Sequence, residues 1–96
     1  MIIMVKFEKH KPSKEELEKL NISDWGIWTK EISTFEWEYD TPETFYVLEG
    51  EAEIVSGDEK LTFEPGDLVT CHSGVKCVWN VKKPIKKHYY FGKIDK

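Results

Sequence analysis

Few residues in this chain have both the type and the placement for chemistry, and Glu43 leads them. It continues the alternation of Trp37 and Tyr39, whose neighbours Glu36 and Glu38 read as water-facing strand positions. Period-2 geometry therefore turns Trp37, Tyr39 and Glu43 toward an interior. A carboxylate there is costly unless something meets it. Two readings stand: a ligand anchor or general acid/base tuned by an apolar pocket, or a structural carboxylate satisfied by a lysine, a tyrosine hydroxyl or backbone donors.

Partners for Glu43 lie in the segment Lys86-Lys87-His88-Tyr89-Tyr90. Alternation puts Lys87 and Tyr89 on one face and Lys86, His88 and Tyr90 on the other, without saying which is inside. With Lys87 inside, it is the natural partner of Glu43. With His88 inside, a divalent transition metal held by Glu43, Cys77 and His88 becomes the alternative. Cys77 otherwise reads as a small buried hydrophobe rather than a nucleophile, unless a cationic neighbour lowers its pKa, and Cys71 reads as packing. Trp37, Tyr39 and Trp79 serve either as core or as the walls of a small-molecule site. His72 falls in an exposed turn, and His10 carries no functional signal. Lys82, Lys83, Lys86 and Lys87 read as a solvated edge strand guarded by charge rather than as an anion site.

The elements that must position these residues are nearly all strands. Ser13-Lys14-Glu15-Glu16 is a capping box after Pro12, and Leu17 and Leu20 give a two-turn helix ending near Asn21. Ile3, Val5 and Phe7 alternate with Met4, Lys6 and Glu8, and Phe35 joins the Trp37–Tyr39 pattern. Phe45-Tyr46-Val47-Leu48 is apolar on both faces, as in a doubly covered central strand. Ala52 and Ile54 alternate with Glu51 and Glu53, which read as a solvated face and not as a catalytic dyad. Gly57-Asp58 marks a hairpin before Leu61 and Phe63, and Glu64-Pro65-Gly66-Asp67 a type II turn. Leu68-Val69, Val78 to Val81 and Ile85 to Phe91 follow. Eight or more short strands and one marginal helix predict a small β-sandwich or barrel.

Composition narrows the partners. Ninety-six residues, 40% hydrophobic and 14% aromatic, allow one domain with a packed core. The net charge is −4, and all 14 basic residues are lysine, which leaves no guanidinium fork for phosphate or base edges. Nucleic acid is therefore not an expected partner. No apolar run reaches membrane-spanning length, and the start Met1-Ile2-Ile3-Met4-Val5-Lys6 lacks a signal peptide's charged region, so a cytoplasmic protein is expected. In a reducing cytosol Cys71 and Cys77 should not form a disulfide. Richness in lysine and glutamate is compatible with a thermophile or an AT-rich genome.

Two stretches resemble the cupin superfamily. Its first motif reads G-x5-H-x-H-x3-E-x6-G, and Trp37-x-Tyr39, Glu43 and Gly50 reproduce the second half of that spacing. Its second reads G-x5-P-x-G-x2-H-x3-N, against Gly66, His72, Gly74, Cys77 and Val81 here. A narrower resemblance covers about residues 25 to 89: Trp25-x2-Trp28, Phe35 to Asp40, Tyr46 to Gly50, Gly66 to Val69, Trp79-x-Val81 and Lys87-His88-Tyr89. These look like the small cupins of the ureidoglycine aminohydrolase-like and ethanolamine-utilisation-like group (Cupin_3 type).

The resemblance implies an all-β, RmlC-like jelly-roll barrel spanning residues 1–96. The amino-terminal strand and short helix would occupy 1–24 and the barrel core about 25–91. Typical metal-binding cupins use three histidines and the glutamate as ligands. Trp37, Tyr39 and Cys77 stand at the histidine positions here, and only Glu43 survives, so no cofactor is expected. The aminohydrolase activity belongs to longer relatives with an intact metal shell and does not carry over. The implied function is small-molecule binding in the barrel by Trp37, Tyr39, Glu43, Cys77, Trp79 and Lys87. The alternative is an enzyme acting on a small nitrogenous or sugar-like metabolite, with Glu43 as acid/base and with or without a metal. Cupins of this size commonly form homodimers, and the apolar start Ile2-Ile3-Met4-Val5 suits that.

Overall fold

Two long strands organise the chain, because each keeps an apolar inner face well past the point where turn residues suggest a break. The computed structural model describes residues 6–92. Within them run β1 (Phe7–His10), α1 (Lys14–Leu20), a 3-10 turn (Ile22–Asp24), β2 (Gly26–Lys30), β3 (Ser33–Glu38), β4 (Glu43–Ser56), β5 (Glu59–Phe63), β6 (Leu68–Cys71) and β7 (Lys76–Phe91). Every strand pairing is antiparallel. β4 and β7 pair along most of their length. The first half of β4 also pairs with β6 and the second half with β5, while β7 pairs with β3 and then β2. β1 closes the order β1-β6-β4-β7-β2. The sheet rolls around one core that includes Phe45, Val47, Ile54, Val69, Trp79 and Ile85, giving the jelly-roll barrel expected from the sequence.

The strand count differs from the expectation of eight or more short strands. Seven are described, because Val78–Val81 and Ile85–Phe91 belong to one strand and Gly50 does not end β4. The β4–β7 register slips between Val47 and Ala52. Gly50 and Pro84 lie at this irregularity, paired by neither neighbour, so proline's missing N–H costs no ladder bond. Gly50 has φ 95°, and a Cβ there would fall 2.1 Å from the Pro84 carbonyl oxygen. Only glycine fits. β2 was not anticipated, since Gly26-Ile27-Trp28-Thr29-Lys30 shows no clean polar alternation. The apolar start Ile2–Val5 lies outside the described residues.

Local signals are mostly kept. Ser13 Oγ accepts from the Glu16 N–H at 3.2 Å, but the Glu16 carboxylate turns to His10 Nε2 at 2.8 Å, so only half of the capping box forms. Asn21, at φ 50°, ends the helix. Gly57 has φ 59° at the first central position of the β4–β5 hairpin, and Gly66 has φ 94° in the Glu64–Asp67 turn closed by a 3.1 Å hydrogen bond. His72, expected in the open, is partly covered and meets Glu8 at 2.6 Å.

The lysine cluster does not form an edge strand. β7 is central, with β4 on one side and β2 and β3 on the other. On its outer face Lys82, Lys83 and Lys86 reach Glu53, Glu51 and Glu49 of β4 at 3.6, 3.3 and 3.9 Å. Glu53, expected to be fully solvated, is largely covered by Lys60, Lys82 and Asn80. Lys87 points the other way.

Candidate functional site

The interior polar site is a single ion pair. Glu43 begins β4, flanked by Cys71 of β6 and Phe91 of β7. Lys87 stands opposite Val47 of β4 and Trp28 of β2. Along β4 the two positions are four residues apart, roughly 13 Å at strand rise. Both side chains lean along the inner face to close that gap, and Lys87 Nζ donates to Glu43 Oε2 at 2.7 Å. Glu43 is 6% exposed and Lys87 4%. Alternation could not decide between Lys87 and His88; the structure puts Lys87 inside and turns His88 Nδ1 to the Trp25 carbonyl at 3.3 Å.

Aromatic rings enclose the ammonium. Nζ lies 3.9 Å from the centroid of Phe45, 4.7 Å from Trp28 and 4.8 Å from Trp79, within cation–π range of all three. The rings brace one another: Trp79 stacks on Phe35 at 5.8 Å and meets Trp28 edge-on at 5.7 Å. Trp79 Nε1 donates to the Tyr39 hydroxyl at 3.1 Å. Backbone bonds from Tyr39 N to Val75 O at 2.9 Å and from Gly74 N to Tyr39 O at 2.6 Å hold Tyr39 just past the end of β3.

Above the pair opens a cavity of about 150 Å³. Trp28, Phe35, Trp79 and Tyr89 wall it, Glu43, Lys87 and Tyr39 supply its polar atoms, and Trp37 and Phe91 stand at its rim. Burial lowers the Lys87 pKa from the usual lysine value, while the Glu43 charge opposes that shift. Burial likewise pushes the Tyr39 hydroxyl up, as do Cys71 and Glu43. Cys71 is fully buried against Tyr39, and its thiol is pushed up to about 12, chiefly by burial.

Of the residues singled out from the sequence, Tyr39, Glu43, Trp79 and Lys87 come together. Trp37 is on the cavity side but 49% exposed, and among the described residues no strand pairs with β3 on the side away from β7 to cover it. Cys77 is buried, but it borders a separate open groove with Trp37, Ser56 and Lys76. Burial raises its thiol to about 11, which leaves it protonated near neutrality. Trp28, Phe35, Phe45, Tyr89 and Phe91 were not singled out. Two signals were available: Tyr89 shares the Lys87 face, and Phe35 shares that of Trp37 and Tyr39. Trp28 had only its place in the Trp25-x2-Trp28 part of the resemblance, because its strand shows no clean alternation.

The residues at the cupin ligand positions do not fit a metal. Glu43 already faces a cation at 2.7 Å, Trp37 and Tyr39 are aromatic, and Cys77 lies outside the cavity. The alternative triad of Glu43, Cys77 and His88 is not assembled, since His88 faces away from Glu43. Among the described residues no three His, Cys, Asp or Glu side chains cluster as a metal would need.

An antiparallel jelly-roll barrel, with this glutamate opening the strand that leads to Gly50, defines a cupin. The chain belongs to the family described as the EutQ-like cupin domain, which matches residues 17–89. Among solved structures, it is similar to a DUF861 family protein from Thermotoga maritima, with 45% identity and a TM-score of 0.88 over 90% of this chain and 99% of that one. The Clostridium difficile EutQ protein shares the fold at 20% identity and a TM-score of 0.59, over 96% of this chain and 100% of that one. A cupin superfamily protein from Desulfitobacterium hafniense does so at 16% and 0.58, over 97% and 84%. No curated protein matches the chain.

Proposed function

We propose that this cupin binds a small, flat organic molecule in the aromatic cavity, on the Glu43–Lys87 pair and without the metal usual in the superfamily. One observation carries the reading: a cavity of about 150 Å³ keeps aromatic walls and a charged floor inside a barrel. An engineered apolar cavity of about that size accepts a benzene-sized molecule. The floor offers a cation to a ligand anion and a carboxylate to a ligand donor, which is the usual division between walls that bind and polar groups that orient. The exposed Trp37 and Phe91 give an incoming ring a first surface to stack on. No helix among the described residues is long and apolar enough to cross a membrane; we place the protein in the cytoplasm. We also propose a homodimer, with Ile27, Ile32 and Tyr90 as exposed apolar contacts.

Thermal denaturation with benzoate, benzylamine and toluene tests the binding reading. At saturating ligand at least one of the three raises the melting temperature in a saturable way, because a ligand that binds only the folded chain stabilises it. Glu43→Gln weakens the benzylamine effect relative to benzoate. Melting curves that none of the three shifts contradict the proposal.

A further inference from the structure

We propose that Lys87 forms an imine with small carbonyl compounds that enter the aromatic cavity, with Glu43 carrying the protons. The inference rests on the cavity being a ligand site and adds chemistry to it.

Packing does not account for the pair. Replacing a buried ion pair with apolar side chains of similar volume is often neutral or stabilising, so a cation here is not explained by stability alone. The Lys87 nitrogen is also held in one place, between Glu43 Oε2 at 2.7 Å and three ring faces at 3.9 to 4.8 Å. Lys87 is one of the residues that line the cavity. Proton transfer along that short hydrogen bond turns an ion pair into a neutral amine and a carboxylic acid. An apolar box that opposes separate charges makes this exchange cheaper than it is in water. The neutral amine is the nucleophilic form, and a lysine desolvated in a hydrophobic pocket is an established way to reach it. Burial acts on Lys87 in the same direction.

The step balances without any further reagent. Glu43 takes a proton from the ammonium. The amine lone pair attacks the carbonyl carbon, a C–N bond forms, and the carbonyl π electrons move to oxygen, which takes the proton from Glu43. Glu43 then removes a second N–H proton and delivers it to the new hydroxyl. The C–O bond breaks, water leaves, and the nitrogen lone pair completes a protonated imine beside the Glu43 carboxylate. One carbonyl compound and one ammonium become one iminium and one water.

Treating the folded protein with benzaldehyde and cyanoborohydride, then mapping peptides by mass spectrometry, tests this on the wild-type chain. The expected result is one reduced adduct on Lys87 that saturates with benzaldehyde and is blocked by benzoate. Glu43→Gln, confirmed folded by circular dichroism, slows that labelling by roughly 100-fold or more, the scale of a lost acid–base group. Label on exposed lysines with Lys87 unmodified overturns the proposal. If benzoate still binds in that case, the imine fails and the ligand site stands. If neither benzoate nor benzaldehyde reaches the cavity, both fail.

Discussion

Lys87 and Glu43 each depend on the other more than on any further partner. Removing one half of a buried pair leaves the other charge uncompensated, at a cost of about 3 to 5 kcal/mol. A domain of this size is stable by only about 5 to 15 kcal/mol, so the loss is a large fraction of the whole. Lys87→Met should therefore lower the melting temperature by about 12 to 40 °C, at about 4 to 8 °C per kcal/mol. Adding Glu43→Gln should restore most of it, because the amide carries no charge to desolvate. Urea melts of the two single variants and the double variant measure this coupling. A Lys87→Met protein as stable as the wild type contradicts a buried ion pair. The same substitution also removes the ammonium that Phe45, Trp28 and Trp79 surround, so some loss should persist in the double variant.

At the scale of elements, the β4–β7 pair decides what was legible. Alternation correctly set the faces of Glu36, Ala52 and Ile54, because period-2 patterning reports a half-buried strand directly; Tyr39 and Glu43 also lie inside, but the chain leaves β3 after Glu38 and re-enters the sheet at Glu43, so no single strand carries the alternation between them. It could not choose between Lys87 and His88, since alternation defines two faces and not which is inside. That choice is made by β2, whose Trp28 stands opposite Lys87. β2 itself was hidden by Ile27, an exposed apolar residue that breaks the pattern. Gly50 and Pro84 looked like breaks between short strands; they are the irregular point of two continuous ones. There the chains approach so closely that Gly50→Ala places a methyl 2.1 Å from the Pro84 oxygen at φ 95°. A strained left-handed alanine alone costs about 1 to 3 kcal/mol, and this overlap with backbone adds to it. Chemical denaturation of Gly50→Ala should show a loss of at least about 2 kcal/mol on that reasoning. A neutral result contradicts the tight crossing of β4 and β7.

For the whole molecule, the buried neutral groups make alkali the vulnerable side. The thiols of Cys71 and Cys77 rise from 9.0 to about 12 and about 11. Below pH 9 both are protonated whether the chain is folded or not, and their contribution is fully present. As pH climbs from 9 toward 12 the unfolded chain ionises first, so the folded chain binds more protons and stability falls. Tyr39 adds to the fall above its ordinary value of 10.0. Lys87 works against it, because its lowered pKa lets the folded chain release that proton before the unfolded one does. Three groups oppose one, and urea midpoints should drop across this range. The Cys71→Ala, Cys77→Ala variant should drop less steeply, and a midpoint that rises across the range contradicts the assignment of these thiols to the interior. The exposed outer pairs Lys83–Glu51 and Lys86–Glu49 between β7 and β4 add little, since pairs of this kind contribute about 0 to 1 kcal/mol each.

The central claim is that a ligand can sit on the Glu43–Lys87 pair among the rings that enclose it. A nitrogen-15 NMR titration with benzoate addresses it residue by residue through the indole N–H signals. The Trp28 and Trp79 signals should move together along one saturating curve, with Trp25, outside the cavity, left unmoved. Trp28 and Trp79 signals that stay fixed while benzoate reaches saturating excess would contradict it.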